Sequence, residues 1–135
     1  MISHAGGPDG LPASLSPYRT NDLLRRRLGF VRAAFSDDLE MGALAAFGDL
    51  PGVCVAAAGA GCDLLFVCSR LEEYPACVEA VEWDVPAGRR AQAQERLDGY
   101  AEGLASLRES ATLPDRPLDG LVEAIREIKK LERPA

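Results

Sequence analysis

Two neighbouring acids at the end of a predicted strand are the residues of this 135-residue sequence best placed for chemistry. The short apolar run at 33–35 predicts a buried strand over residues 33–36, and Asp37 and Asp38 follow it directly. Parallel α/β folds place their chemistry at this end of their strands. Successive strand side chains point to opposite faces, so the two carboxylates cannot both enter one pocket. On the residues alone, an N-cap role at a short helix through Phe47 is favoured over catalysis, with Glu40 reaching back in a capping box if Asp37 is the cap.

The elements around these acids predict a parallel α/β fold. Strands and helices alternate as β, α, β, α, β through the first 70 residues, which favours parallel strands with right-handed crossovers. The predicted strands cover 1–3, 33–36 and 64–68, with helices from Ser16–Pro17 to about Leu28 and from Pro51 to Gly59–Gly61. Three further helices are predicted at 71–85, from 86 onwards and around 118–128. The last two are amphipathic and joined by a short loop, as in a helical hairpin.

Three sequence motifs resemble a known enzyme family. GF, a short strand and then FSDDLEM resemble the nucleophile segment of glycoside hydrolase family 3, in particular the bacterial β-N-acetylhexosaminidases of peptidoglycan recycling. SHAGGPDGLPASLSP, which contains His4, resembles the preceding strand and loop of that family. AGCDLLFVC at 60–68 resembles its next strand. The three motifs come in the family's order and cover residues 1–70.

The resemblance implies a partial barrel. It predicts that residues 1–85 are the last βα units of a (β/α)₈ TIM barrel and that residues 86–135 are a helical C-terminal extension. A complete barrel needs eight strands and about 250 residues, so three predicted strands cannot close one. The family's sugar-binding loop KHFPGHG and its Asp–His acid/base pair have no counterpart here. We therefore expect a C-terminal fragment, through truncation or a split gene, that is inactive alone.

The resemblance also assigns roles to individual residues. Asp37 matches the nucleophile of a retaining glycosidase that hydrolyses terminal β-linked N-acetylhexosamine, and Asp38 would support it as a helix cap or hydrogen-bond partner. His4 would lie near the sugar, although a hydrogen bond within the start of its loop is an equal alternative. Met41 would line the pocket, although a core position is favoured. Asp63 precedes its strand at the bottom of the barrel, which predicts a structural role.

Composition excludes several classes of protein. A net charge of −6 and a pI near 4.8 argue against a sequence-independent nucleic-acid binder. No apolar run approaches the about 20 residues of a membrane span, and no signal peptide is apparent, so a cytoplasmic location is expected. No metal or cofactor is predicted, since the cysteine spacing does not suit zinc. The four cysteines, predicted to be unpaired, reduced and mostly buried, are Cys54, Cys62, Cys68 and Cys77.

The expected partners and the competing functions follow from the missing strands. A completed barrel would bind an N-acetylglucosaminide, and the open chain would bind its missing N-terminal barrel portion or a second copy of itself. One alternative is a non-catalytic interaction module or a degenerate gene remnant. Another is a receiver-like phosphoacceptor domain in which the Asp pair holds Mg²⁺. That alternative ranks last, because LLFVCSR lacks the acid that a later strand would have to supply.

Overall fold

The computed structural model describes the backbone of residues 8–110 and the side chains of residues 8–109. The predicted strand at 1–3, with His4, and the predicted helix at 118–128 lie outside these residues. The chain divides into two compact units, 1–104 and 105–135, and the contacts discussed below belong to the first. The helical hairpin and the boundary between 85 and 86 stay predictions.

Helices outnumber strands in the described part of the chain. Its strands are β1 (Phe35–Asp38) and β2 (Leu64–Phe66). Its α-helices are α1 (Leu50–Ala60), α2 (Tyr74–Asp84) and α3 (Ala87–Ser110). A π-helix covers Tyr18–Arg27, and short 3-10 helices cover Ala13–Leu15, Gly42–Phe47 and Leu71–Glu73. The helix predicted at 71–85 is therefore a 3-10 turn followed by α2.

The two strands form a parallel pair, as predicted. Phe35 lies opposite Leu64 and Asp38 lies opposite Phe66, with an irregularity in register between these pairs. The predicted bounds of β1, residues 33–36, are wrong by two residues. The apolar run suggested those bounds, but the pairing with β2 determines where the strand lies. The hydrogen bonding to β2 continues as far as Leu39, whose N–H donates to the Phe66 carbonyl at 3.0 Å.

Helix α1 crosses from β1 to β2 and supplies much of the core. Asp49 caps its start by accepting a hydrogen bond from Gly52 N–H at 3.0 Å, and Pro51 lies in its first turn. Gly61 ends it with φ of +119°. The predicted helix is confirmed: it begins at Leu50, one residue before Pro51, and ends at the C-cap Gly61, with Gly59 inside it. The buried core around α1 consists of Leu15, Leu39, Leu44, Leu50, Val53, Cys54, Ala57 and Cys77.

The helix predicted to follow Ser16 is wound as a π-helix. Ser16 Oγ accepts a hydrogen bond from Arg19 N–H at 3.1 Å, which is the predicted capping role. Near its end, Leu28 N–H donates to the carbonyl of Leu23, five residues earlier. Gly29 follows with φ of +68°, a conformation that costs glycine little.

The sheet has one open face with aromatic side chains. The rings of Phe35 and Phe66 meet edge-on with centroids 6.1 Å apart, and each residue is 40% exposed. Tyr100 of α3 packs edge-on against Phe35 at 5.1 Å. Helix α3 therefore lies across the end of the sheet at which the strands begin.

The cysteines agree with their prediction except at one position. All four are unpaired, and Cys54, Cys62 and Cys77 are buried, but Cys68 is exposed because β2 ends before it. Burial and the neighbouring Cys77 thiol raise the pKa of Cys54 to about 12. In residues 8–110, no helix is long and apolar enough to cross a membrane.

Candidate active site

Asp37 lies exposed at the carboxyl end of β1. Along this strand the exposed residues Phe35 and Asp37 alternate with the buried Ser36, so Asp37 shares the open face of the sheet. Asp37 N–H donates to Ser14 Oγ at 3.2 Å, and its carboxylate accepts from Asp38 N–H at 2.9 Å. The predicted position of Asp37, at the end where parallel strands carry their chemistry, is thus present in the structure.

Asp38 supports the turn that leaves the strand, but neither acid caps a helix. Its Oδ1 accepts from Glu40 N–H at 3.0 Å, and its carbonyl accepts from Met41 N–H at 3.3 Å. The 3-10 helix Gly42–Phe47 begins after Met41 without a side-chain cap. The predicted N-cap role is therefore wrong, because this turn places the helix start, Gly42, four residues beyond Asp38.

Glu40 holds the loop that follows β2, instead of forming the predicted capping box. Its carboxylate, whose side chain is 6% exposed, accepts from the backbone N–H groups of Cys68, Ser69 and Arg70, the last two at 2.6 Å each. These bonds, that of Ser69 first, hold the pKa of Glu40 below its usual value despite desolvation. The three N–H groups form an anion-binding concavity that an internal carboxylate occupies.

Cys68 joins the end of β2 to the acids of β1. Desolvation and then the carboxylate of Asp38, with smaller contributions from Glu40 and Asp37, raise the pKa of the Cys68 thiol. The carboxyl ends of both strands therefore meet in one acidic cluster. Sequence reasoning missed Cys68 and Glu40 here, because the contacts between the two loops span about thirty residues.

Two other residues were predicted to belong to the site, Met41 and His4. Met41 is 46% exposed, so the favoured core position is wrong. It is the N-cap residue of the 3-10 helix Gly42–Phe47, three residues after Asp38. His4 lies outside the described residues, so its predicted place near the sugar stays a prediction.

At the opposite end of the sheet, Asp63 has the structural role predicted for it. Its carboxylate is fully buried and accepts hydrogen bonds from Ala34 N–H at 2.9 Å and from three guanidinium groups. Arg25 of the π-helix lies at 2.6 Å, and Arg89 and Arg96 of α3 lie at 2.8 and 3.0 Å. The same contacts also hold α1, since Arg25 donates to the Gly61 carbonyl at 3.2 Å. The arginines were not predicted, because they lie 26 to 38 residues from Asp63.

This parallel βαβ arrangement, with an exposed carboxylate at the carboxyl end of β1, agrees with the sequence motifs, and comparison with known families gives the class of protein. Residues 1–104 match the family model described as the glycosyl hydrolase family 3 N terminal domain. The chain belongs to glycoside hydrolase family 3, as its motifs indicated.

Curated relatives of the chain are bacterial β-hexosaminidases. The β-hexosaminidase of Alkalilimnicola ehrlichii is 47% identical over 68 residues, which cover 50% of this chain and 20% of that protein. The β-hexosaminidase of Thiobacillus denitrificans is 38% identical over 106 residues, which cover 76% and 29%. The chain thus spans only a fifth to under a third of the length of these relatives.

Solved structures support the fold. The crystal structure of CbsA from Thermotoga neapolitana matches with a TM-score of 0.63 and 23% identity, over 71% of this chain and 23% of that one. A fungal multi-domain family 3 β-N-acetylglucosaminidase matches with a TM-score of 0.63 and 24% identity, over 68% and 12%. The described residues share the local fold of these proteins, with a small two-stranded parallel sheet.

Proposed function

We propose that this chain carries the nucleophile-bearing part of a retaining glycosidase that removes terminal β-linked N-acetylhexosamine, of the type used in peptidoglycan recycling. Asp37 is the nucleophile. The observation that carries the proposal is the exposed Asp37 carboxylate at the carboxyl end of a parallel strand, in a chain of glycoside hydrolase family 3. The β-hexosaminidase relatives support the substrate class.

In this reaction Asp37 attacks the anomeric carbon of the sugar. The bond to the leaving oxygen breaks, that oxygen takes a proton from an acid, and water later releases the sugar from the covalent glycosyl-enzyme. Asp38 is unsuited as that acid, since it adjoins Asp37 on the same strand and its Oδ1 is bonded to Glu40 N–H. In this proposal the acid comes from outside the described residues.

The open sheet supports an incomplete barrel. Among the described residues, β1 and β2 pair only with each other, whereas every strand of a closed barrel has two neighbours. The aromatic face formed by Phe35 and Phe66 would then point into the barrel. The partner in this proposal is the remainder of the barrel, from a longer form of the protein or from a second polypeptide.

Complementation tests the proposal. The 135-residue chain is assayed with a chromogenic N-acetylglucosaminide, alone and after co-expression with the N-terminal portion of the Alkalilimnicola relative. The chain alone should give background rates, because a positioned acid is worth about 10²–10⁴-fold in rate and the sugar-binding contacts are missing too. The complemented protein should turn over.

Substitutions at two neighbouring positions test whether Asp37 acts specifically as the nucleophile or only as one of several acids in the cluster. In the complemented protein, Asp37→Ala should abolish turnover, whereas Asp38→Ala should only weaken it. Robust hydrolysis by the chain alone would contradict the inference that this chain lacks the catalytic acid. Full activity of the complemented Asp37→Ala variant would remove Asp37 as nucleophile.

A non-catalytic interaction module is the second candidate. Large apolar side chains lie exposed on the described surface, with Trp83 80% and Val31 75% accessible. Unpaired strand edges would add to self-association. Sedimentation velocity of the chain across a concentration series measures this, and a monomer at every concentration would count against the candidate. Trp83→Ser should reduce any association observed.

A further inference from the structure

The end of the sheet opposite Asp37 carries more positive than negative charge. Among the described residues, Asp63 is the one carboxylate within 4.0 Å of Arg25, Arg89 or Arg96. Guanidinium groups do not lose their protons in proteins, so two positive charges remain in excess. The carbonyl groups at the end of α1 offset part of this excess, since Ala58 C=O accepts from Arg89 Nε at 3.0 Å.

A cavity of about 150 Å³ lies beside this charge cluster, between β2, α2 and the first turns of α3. Arg89 lines it, and Arg89 Nη1 is buried without a hydrogen-bond acceptor among the described residues. Arg90, Gln94, Cys62 and the paired Asp63 also line it, and Gln94 Nε2 donates to the exposed Asp98 carboxylate at 2.8 Å. The apolar part of the lining consists of Ala58, Leu65, Val81, Val85, Ala93 and Leu97.

We propose that this cavity binds a small aliphatic carboxylate. The carboxylate group would accept a charge-assisted hydrogen bond from Arg89. The ligand would thereby supply the acceptor that Arg89 Nη1 lacks and would offset one excess positive charge. The hydrocarbon part would lie against the apolar lining formed by Val81, Val85 and Leu97. Two carboxylates oppose an anion here. Asp98 is exposed to solvent and therefore screened, and Asp63, which lines the cavity, is already paired with three guanidinium groups.

The site is separate from the glycosidase proposal. The cavity lies where the strands begin, next to Asp63, whereas Asp37 lies where β1 ends. Ligand binding here can therefore be measured on the 135-residue chain without any sugar or activity, and its result does not depend on whether the barrel is completed.

Calorimetric titration with butanoate tests the proposal, with butanamide as the neutral isostere. We expect saturable butanoate binding and at least about tenfold weaker binding of butanamide. Only butanoate carries a negative charge that can compensate the excess positive charge of the guanidinium groups. Absence of saturable butanoate binding, or equal affinity for the two compounds, would overturn the site. Inorganic phosphate binding as tightly as butanoate would overturn the aliphatic part of the proposal.

Cavity-filling variants locate the binding. Ala93→Leu fills the cavity without changing charge and should abolish butanoate binding, whereas Ala91→Leu, on the same helix at an exposed position outside the lining, should leave it intact. Arg90→Gln serves as a second variant. Arg90 lines the cavity without pairing with Asp63, so the change removes one positive charge from the lining and should weaken binding severalfold. Circular dichroism verifies the fold of each variant. Unchanged butanoate affinity in folded Ala93→Leu, or in Arg90→Gln if that variant alone folds, would refute the assignment.

Discussion

Replacing Asp63 should remove a large part of the stability of this chain. The carboxylate is fully buried and accepts four hydrogen bonds, three of them from arginines whose side chains are 13–24% exposed. Asp63→Ala leaves these guanidinium groups without their counter-charge and Ala34 N–H without an acceptor. Breaking a buried ion pair on one side costs about 3–5 kcal/mol, against about 5–15 kcal/mol for a whole domain. We therefore expect the free energy of unfolding to fall by about 3–5 kcal/mol.

Urea unfolding of the 135-residue chain, followed by circular dichroism, measures this loss. Asp22→Ala is the matched control, because it also removes an aspartate paired with an arginine, Arg26 at 2.7 Å, but on the exposed surface of the π-helix. Such a pair contributes about 0.3–0.5 kcal/mol. A loss below about 1 kcal/mol for Asp63→Ala, or equal losses for the two variants, would refute the reasoning from burial.

Three further predictions concern the loops and the thiols. Glu40→Gln should loosen the loop after β2, which is measured as faster amide exchange at Ser69. Because the pKa of Glu40 is lowered, the stabilisation that its carboxylate gives is present at neutral pH and lost as the pH falls. The exchange rates of the variant and the parent should therefore converge in acid. A disulfide reagent should label Cys68 fastest in the native protein and four thiols in denaturant; fewer than four would reveal a disulfide. Gly61→Ala should lower the free energy of unfolding by about 1–3 kcal/mol, since a Cβ there would lie 2.6 Å from Asn21 Oδ1 at φ of +119°. Gly59→Ala, with open space around it, should be neutral or stabilising, and the same urea assay compares the two.

Local sequence signals predicted the elements that local rules control. Pro51 and Gly61 bound α1 because a proline in the first turn and a left-handed glycine at the end act within a few residues. The apolar run at 64–68 predicted β2, although only Leu64–Phe66 pair with β1. The parallel order followed from the alternation of elements, which the crossover helix enforces.

The features that sequence did not predict depend on partners far along the chain. Glu40 was expected to bond its own helix start, but the loop about thirty residues later offers it three N–H groups. The exposure of Met41 reflects the Asx-type turn at Asp38, which competes with the expected cap. The motif that contains Asp37 was recognisable, and its position at the strand end followed from the fold class. Its role in catalysis remains a prediction.

The long sequence separations at Asp63 also have a consequence for folding kinetics. Its partners lie 38 residues before it and 26 and 33 residues after it, so the π-helix and α3 must both reach β2 before the ion pairs can form. Loop closure of this length costs entropy before the contacts compensate for it, which places these contacts late on the folding path. Interactions absent from the transition state mainly slow unfolding. Asp63 should therefore chiefly slow the unfolding of the native chain. Its replacement should raise the unfolding rate and leave the refolding rate nearly unchanged.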